Sequence, residues 1–181
     1  MTYARVLLDA AGQQRGFVTP ANARELGVPP IELPKLAARG ALEHVAYGLY
    51  RLVGFPAHPG DEYVEAVLWA GGGHISHESG MAVWELADVN PRRINLIVPK
   101  RVRRTGGASY RLWIARLGSR DVDEHRDIPV TTPLRSVVDA AAAGTDPRLI
   151  EQAIDGIERR RLASVGDIEK FKKAYADRAV A

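Results

Sequence analysis

The stretch RGALEHVAYGLYRL, residues 39–52, limits the possible folds of this chain more than any other part of its sequence. A helix-like segment stops at Gly40, and apolar residues then alternate with polar ones around Tyr47-Gly48. Alternation with a period of two is typical of β-strands, and glycine at the turn accepts a positive φ. The pattern predicts a short β-hairpin directly after a helix. The residues expected to point inward are Leu42, Val45, Leu49 and Leu52.

Three helices are predicted before the hairpin. The first covers residues 3–11, where apolar side chains repeat with a helical period. The second begins at Thr19-Pro20, because threonine is a favoured N-cap and proline a favoured first helical residue, and it closes at Gly27. The third lies within residues 30–39. Three helices followed by a hairpin in this order predict a winged helix-turn-helix over residues 1–56.

The segment FPAHPG, residues 55–60, is the predicted domain boundary because it holds two prolines and a glycine. Helices are expected over residues 61–70, after a Ser76 cap, over 146–162 and over about 165–179. RINLIVPK and YRLWIARL are predicted strands, joined through RVRRTGGAS as a basic hairpin tip, and IPVT is a strand before a helix that starts at Thr132-Pro133. The predicted fold class is α+β, with the winged helix followed by a mixed α+β domain over residues 60–181.

The net charge of +3 conceals an uneven distribution along the chain. Residues 58–91 carry six acidic and no basic side chains, whereas residues 92–126 carry ten basic and three acidic ones. A dense basic cluster predicts contact with a polyanion or an acidic partner, and a solvated loop is the alternative. The cluster consists of Arg92, Arg93, Lys100, Arg101, Arg103 and Arg104.

The composition excludes several classes of protein. The chain has no cysteine, which rules out disulfides, thiolate zinc sites and cysteine nucleophiles. No apolar run approaches the length of a membrane span, so no membrane contact is expected. The N-terminus lacks the charged-then-apolar pattern of a signal peptide, and we expect a cytoplasmic protein.

The order and spacing of four motifs are similar to those of a known family. TPANARELGV with LPKLAARGALEHVAYGLYRL resembles the N-terminal winged helix of AbiEi-type antitoxins, and ISHESGMAVWEL, INLIVPKRVRR and DIPVTTPLRSVVDAAAAG resemble its later segments. The resemblance implies an antitoxin of a type IV toxin–antitoxin system that represses its own operon at the promoter. It also implies a neighbouring toxin of the nucleotidyltransferase type, which the protein counteracts directly or functionally.

The winged-helix pattern predicts where DNA would be bound. In a helix-turn-helix the second helix of the pair enters the major groove, so its exposed side chains meet bases and phosphates, and dimers bind inverted repeats. Glu32 would repel phosphate, and three prolines, Pro29, Pro30 and Pro34, shorten this helix. The residues predicted to contact DNA are Arg15, Thr19, Lys35, Arg39, His44, Tyr47 and Arg51.

Two alternatives to promoter binding stay open. The prolines and Glu32 favour an antitoxin that acts by protein contact without binding DNA. Asp139 with Glu151 and Asp155 suggests a nuclease-like enzyme, although Arg135, one helical turn away, is a suitable partner for Asp139. HISHES offers two histidines at the spacing of a zinc pair, but it lacks HExxH and fits the start of a helix better. We expect no enzymatic activity, no cofactor and no metal.

Overall fold

A computed structural model describes residues 3–179, except the side chains of residues 9, 10, 13, 178 and 179. The chain forms two compact units. The first runs to Gly72 and includes Val102–Gly107 from later in the sequence, and the second consists of Gly73–Arg101 and the chain from Ala108 onward. The division of the chain into domains over residues 1–56 and 60–181 stays a prediction.

The first unit begins with the element order of a winged helix, as the sequence predicts. Its three short strands form an antiparallel sheet in the order β1-β3-β2, and β2 and β3 are the predicted hairpin. The elements are α1 (Tyr3–Gln13), β1 (Phe17–Val18), α2 (Pro20–Glu25), α3 (Glu32–Ala38), β2 (Leu42–Ala46), β3 (Leu49–Leu52) and α4 (Asp61–Ala70).

Local signals set these elements in place. The Thr19 hydroxyl accepts from the Asn22 backbone N–H at 3.3 Å, and the Thr19 N–H donates to Asn22 Oδ1 at 2.9 Å, which closes a capping box at the start of α2. Gly48 has a φ of +66° at the hairpin turn, a conformation that glycine adopts without a Cβ penalty. Of the four residues expected to point inward, three are buried and Val45 is partly buried. The core of this unit includes Leu7, Val18, Ala23, Leu33, Leu36, Leu42 and Leu52.

The second unit is a five-stranded mixed sheet with helices. The strand order is β6-β5-β4-β8-β7, in which β4 pairs parallel with β8 and β5 pairs parallel with β6. The other two pairings are antiparallel. The elements are β4 (His74–Ile75), α5 (His77–Val83), β5 (Ile94–Val98), β6 (Tyr110–Ile114), β7 (Val122–His125), β8 (Ile128–Thr131), α6 (Pro133–Ala142), α7 (Pro147–Arg160) and α8 (Val165–Ala179).

The predicted basic hairpin between β5 and β6 is wrong. The two strands run parallel, with Ile94 opposite Tyr110 and Val98 opposite Ile114. Parallel strands require a crossover connection rather than a tight turn. Here the crossover contains Val102–Gly107, which belongs to the first unit. The Trp69 indole N–H donates to the Thr105 carbonyl at 3.2 Å and anchors the segment there.

Buried polar contacts join helices to the sheet in the second unit. The Thr131 and Ser136 hydroxyls lie 2.7 Å apart, both fully buried, where β8 leads into α6. Gly80 brings α5 close to α6, because a Cβ at this position would lie 2.4 Å from Ser136 Oγ. α6 starts after Thr132 with proline at its first turn, as the sequence predicts.

Candidate functional site

The helix α3 presents a basic face to solvent. Leu33 and Leu36 are buried in the core of the first unit, which turns Lys35 and Arg39 outward. Lys35 Nζ donates to Glu32 Oε1 at 2.7 Å, while the Lys35 side chain stays 51% exposed. An exposed pair of this kind contributes little to stability, so it is readily exchanged for another anion.

Arg15 and Arg51 converge on one carboxylate, Asp61, at the start of α4. Arg51 donates to Asp61 Oδ2 at 2.5 Å and to the Pro56 carbonyl at 3.1 Å. Arg15 lies 3.5 Å from Asp61 Oδ1 and donates to the Pro59 carbonyl at 2.7 Å. The three side chains are only 12–21% exposed. This buried cluster fixes the start of α4 against β3, and a DNA contact by either arginine stays a prediction.

The wing exposes a tyrosine at its turn. Tyr47 is 70% exposed, whereas Tyr50 is buried and stacks at a tilt against His44, with ring centroids 5.2 Å apart. His44 lies on the exposed side of β2. The Thr19 hydroxyl donates to Asn22 Oδ1 at 2.6 Å, so the capping box already uses this group.

A cavity of about 580 Å³ lies in the first unit beside the wing turn. Its lining includes Arg24 from α2, Tyr47 from the wing and Arg104 from the crossover, and no acidic residue. Arg104 donates to the Trp69 carbonyl, which holds its guanidinium at this position. The crossover therefore adds the positive charge of Arg104 to the surface around the wing. The place of Arg104 in the sequence does not predict this proximity.

The basic cluster of the sequence is divided between the two units. Arg103 and Arg104 belong to the first unit, and the four remaining members belong to the second. All six side chains are exposed. Contact of this cluster with a polyanion or a partner stays a prediction, but its members do not form one hairpin tip.

Residues 5–53 match the family described as transcriptional regulator, AbiEi antitoxin. This segment is therefore similar to the AbiEi antitoxin family, and we call it the AbiEi-type domain. The match confirms the resemblance of the N-terminal segment, and it spans most of α1 together with α2, α3 and the hairpin. The AbiEi-type domain supports an antitoxin or transcriptional-regulator role for the protein.

One solved structure shows the same fold over most of the chain. It is the crystal structure of the Rv2827c protein from Mycobacterium tuberculosis, which is similar to this chain with a TM-score of 0.56. The similarity covers 94% of this chain and 71% of that one at 19% sequence identity, so it concerns the fold alone. No curated protein matches the sequence.

The second unit, outside the AbiEi-type domain, contains a polar stack that sequence reasoning missed. The His77 ring lies parallel to the Trp113 ring at 4.2 Å, and the Arg111 guanidinium lies 4.4 Å from the centre of the same indole. The Trp113 indole N–H donates to Asn95 Oδ1 at 3.1 Å. HISHES gave the only sequence signal, but the residues that complete the stack are distant in the chain.

His77 is strained and neutral. Its φ is +53° although it is only 6% exposed, and Ser76 Oγ lies 2.9 Å from its Nδ1. Its pKa is lowered to about 4, mainly by burial and in addition by the positive charges of Arg111 and Arg135. A buried residue in the left-handed region is uncommon outside functional or tightly constrained sites. His77 is therefore uncharged near neutral pH and adds no positive charge to its surroundings.

The carboxylates that suggest a nuclease-like enzyme lie on α6 and α7. Asp139 accepts from Arg135 Nε at 2.9 Å through both carboxylate oxygens, the pairing that the sequence predicts. Glu151 and Asp155 are exposed on α7. Within residues 3–179, no group of three or more His, Asp or Glu side chains is arranged to hold a metal ion. In the same described part, no helix has both the length and the apolar character needed to cross a membrane.

Proposed function

We propose that this protein is the antitoxin of a type IV toxin–antitoxin system, which represses its own operon by binding promoter DNA and counteracts a nucleotidyltransferase-type toxin. The family match of residues 5–53 supports the antitoxin and regulator role. The observation that carries DNA binding is the geometry of α3, in which the buried Leu33 and Leu36 turn Lys35 and Arg39 toward solvent.

In this proposal α3 enters the major groove and its two cations bind phosphate or guanine. Arg39 is exposed, and no carboxylate of the described residues lies within ion-pair distance of it. Lys35 must leave Glu32 to bind DNA, which costs less than about 1 kcal/mol for an exposed pair. Both side chains are therefore available to the nucleic acid.

The wing and the cavity beside it supply the backbone contacts. Tyr47 at the exposed turn can donate its hydroxyl to a phosphate, and Arg24 and Arg104 place two cations next to it. Arg15 and Arg51 would have to leave Asp61 to reach DNA, and their burial makes that exchange costly. We therefore assign these two arginines first to holding α4.

Two copies on an inverted repeat fit the small size of the recognition surface. The helix α3 has seven residues and only one acidic and one basic side chain within its bounds, with Arg39 directly after it. One such helix contributes few base contacts, and a pair of half-sites doubles them. Sedimentation of the complex with the upstream DNA should give two protein chains per repeat.

The test of DNA binding is fluorescence anisotropy on the DNA upstream of the protein's own gene. Lys35→Ala with Arg39→Ala should weaken binding by about 2–6 kcal/mol and reduce the slope of log K against log salt by about 2. The matched control, Arg159→Ala with Lys173→Ala, removes the same charge from exposed positions in α7 and α8. Equal affinity of the two double variants would exclude docking through α3.

An antitoxin that acts only by protein contact is the second candidate. The pairing of Lys35 with Glu32 and the burial of Arg51 against Asp61 favour it, because they reduce the charge offered to DNA. Co-purification with the product of the neighbouring gene, without binding to the promoter, would establish this candidate.

The toxin-directed half of the main proposal is tested by co-expression. The protein should restore growth of cells that produce the neighbouring toxin, and continued growth arrest would contradict this half of the proposal.

A further inference from the structure

The second unit contains a pocket of about 430 Å³. Five of its six lining residues are polar or charged, and three of them are arginines. It lies where the N-terminal end of α5 meets the starts of β5 and β6. The lining residues are Glu78, Pro91, Arg92, Arg93, Asn95 and Arg111.

The three arginines leave this pocket with excess positive charge. Within the described residues, no carboxylate lies at ion-pair distance from the side chains of Arg92, Arg93 or Arg111. The one carboxylate of the lining, Glu78, instead accepts from the Thr145 hydroxyl at 2.8 Å. Like charges that share one pocket raise its electrostatic potential, which an anionic ligand would relieve.

One of these arginines is held in position by the polar stack. The guanidinium of Arg111 lies 4.4 Å from the centre of the Trp113 ring, and the His77 ring stacks on the same indole at 4.2 Å. Asn95 accepts from the Trp113 indole N–H and donates to the Arg93 carbonyl at 3.2 Å, so it ties the backbone directly before β5 to the same framework. A guanidinium group fixed in this way loses less conformational freedom when it binds.

The strain at His77 is a second, independent observation. Its left-handed backbone, with a φ of +53°, is buried at the first residue of α5, directly before Glu78. Such strain persists only where surrounding contacts enforce it, and it concentrates at binding and catalytic sites. Here it places the imidazole flat against Trp113 and thereby supports the surface on which Arg111 lies.

We propose that this pocket binds the phosphate groups of a nucleotide, either free or at the end of an RNA. Arginine recognises phosphate through paired N–H donors, and three arginines line this pocket. The pocket volume falls within the range of small-molecule sites. The Glu78 carboxylate can accept a hydrogen bond from a ribose hydroxyl or a base amino group, whereas an ionised phosphate has no donor for it.

This site goes beyond promoter binding and stands whether or not the winged helix binds DNA. Isothermal titration calorimetry with ATP, in the presence of EDTA, should show saturable binding to the full chain. Inorganic triphosphate should also bind, and adenosine should not, because the phosphates carry the affinity. Arg93→Ala with Arg111→Ala should weaken ATP binding about tenfold or more, since two charge-assisted contacts are lost.

The matched control is Arg116→Ala, which removes an exposed arginine outside the pocket lining and should keep the affinity within about twofold. If loss of Arg111 destabilises the stack, Arg92→Ala with Arg93→Ala tests the same pocket through two exposed side chains that precede β5. Thermal melting followed by circular dichroism shows which variants remain folded.

A 5′-phosphorylated RNA oligonucleotide distinguishes the two sources of phosphate. Binding of this RNA with the same loss in Arg93→Ala/Arg111→Ala, but no binding of ATP, would support the pocket and identify RNA as the source. No binding of any phosphate probe, or equal loss in the Arg116→Ala control, would overturn the proposal. The proposal would also be overturned if no phosphate probe binds and the double variant no longer co-purifies with the toxin. In that case the pocket contacts an acidic protein surface instead.

Discussion

Replacement of Asp61 by asparagine should destabilise the first unit. Asp61 accepts from Arg51 at 2.5 Å and from the His58 backbone N–H at 3.0 Å, and it lies 3.5 Å from Arg15. Asp61→Asn keeps the shape of the side chain but removes the carboxylate charge that faces Arg15 and Arg51, which are 12% and 21% exposed.

The magnitude follows from the burial of the cluster. Loss of one partner from a fully buried ion pair costs roughly 3–5 kcal/mol, because the remaining charge is desolvated without compensation. The three side chains retain 12–21% of their exposure, and the asparagine amide keeps some hydrogen bonding. We therefore expect the free energy of unfolding of the first unit to fall by about 2–3 kcal/mol.

Hydrogen-exchange mass spectrometry in a urea series is the suitable assay, because it follows peptides of the first unit separately from those of the second. Glu62→Gln is the matched control, since it neutralises the next residue of α4, which is exposed. If Asp61→Asn lowers the stability of the first unit no more than Glu62→Gln does, the buried cluster does not hold α4 and the reasoning is refuted.

Three other substitutions test contacts in both units. Gly107→Ala would place a Cβ 2.4 Å from the Trp69 ring, so it should cost about 1–3 kcal/mol and expose the crossover to limited proteolysis; an unchanged cleavage pattern would contradict the packing. Gly80→Ala would place a Cβ 2.4 Å from Ser136 Oγ and should lower the melting temperature of the second unit by several degrees, whereas an unchanged melting curve would refute the close approach of α5 to α6. The pKa of His77 is lowered from 6.5 to about 4 in the folded protein, so the unfolded chain binds its proton first and stability falls as the pH drops from about 6.5 toward 4. Asparagine tolerates the positive φ, so His77→Asn should keep the backbone conformation. This variant should remove about 2 kcal/mol of the difference in unfolding free energy between pH 7 and pH 4.5. Equal pH dependence of stability in the variant and the original protein would contradict a neutral buried imidazole.

The elements that the sequence predicts correctly depend on local chemistry. Thr19-Pro20 begins α2 and Gly48 makes the hairpin turn because caps and turns are determined by a few neighbouring residues. The same is true of Thr132, which precedes α6. These signals suffice for the winged-helix order of the first unit.

The features that the sequence did not predict depend on contacts between distant residues. The strand β1 has only two residues and shows no periodicity, so nothing local distinguishes it from a loop. The crossover between the parallel strands β5 and β6 contains a segment that belongs to the first unit, and the sequence between the strands does not predict this placement. A strand, a glycine-containing loop and a second strand are more often a hairpin, and that preference led to the error.

The candidate sites follow the same division. The exposure of Lys35 and Arg39 could be predicted from helical periodicity, since Leu33 and Leu36 define the buried face. The pairing of Arg51 with Asp61 could not, because it depends on where α4 docks. The stack around Trp113 likewise joins residues from three separate segments and has no signature in any of them.

The most direct test of the proposed function compares the protein's own upstream DNA with a scrambled duplex of the same composition. Fluorescence anisotropy across a salt series separates the two contributions, because phosphate contacts respond to salt and base contacts distinguish the sequences. The proposal predicts tighter binding to the native DNA at every salt concentration, with affinity for both duplexes falling as salt rises. Equal affinity for the two duplexes, or no binding to either, would contradict promoter recognition by the winged helix.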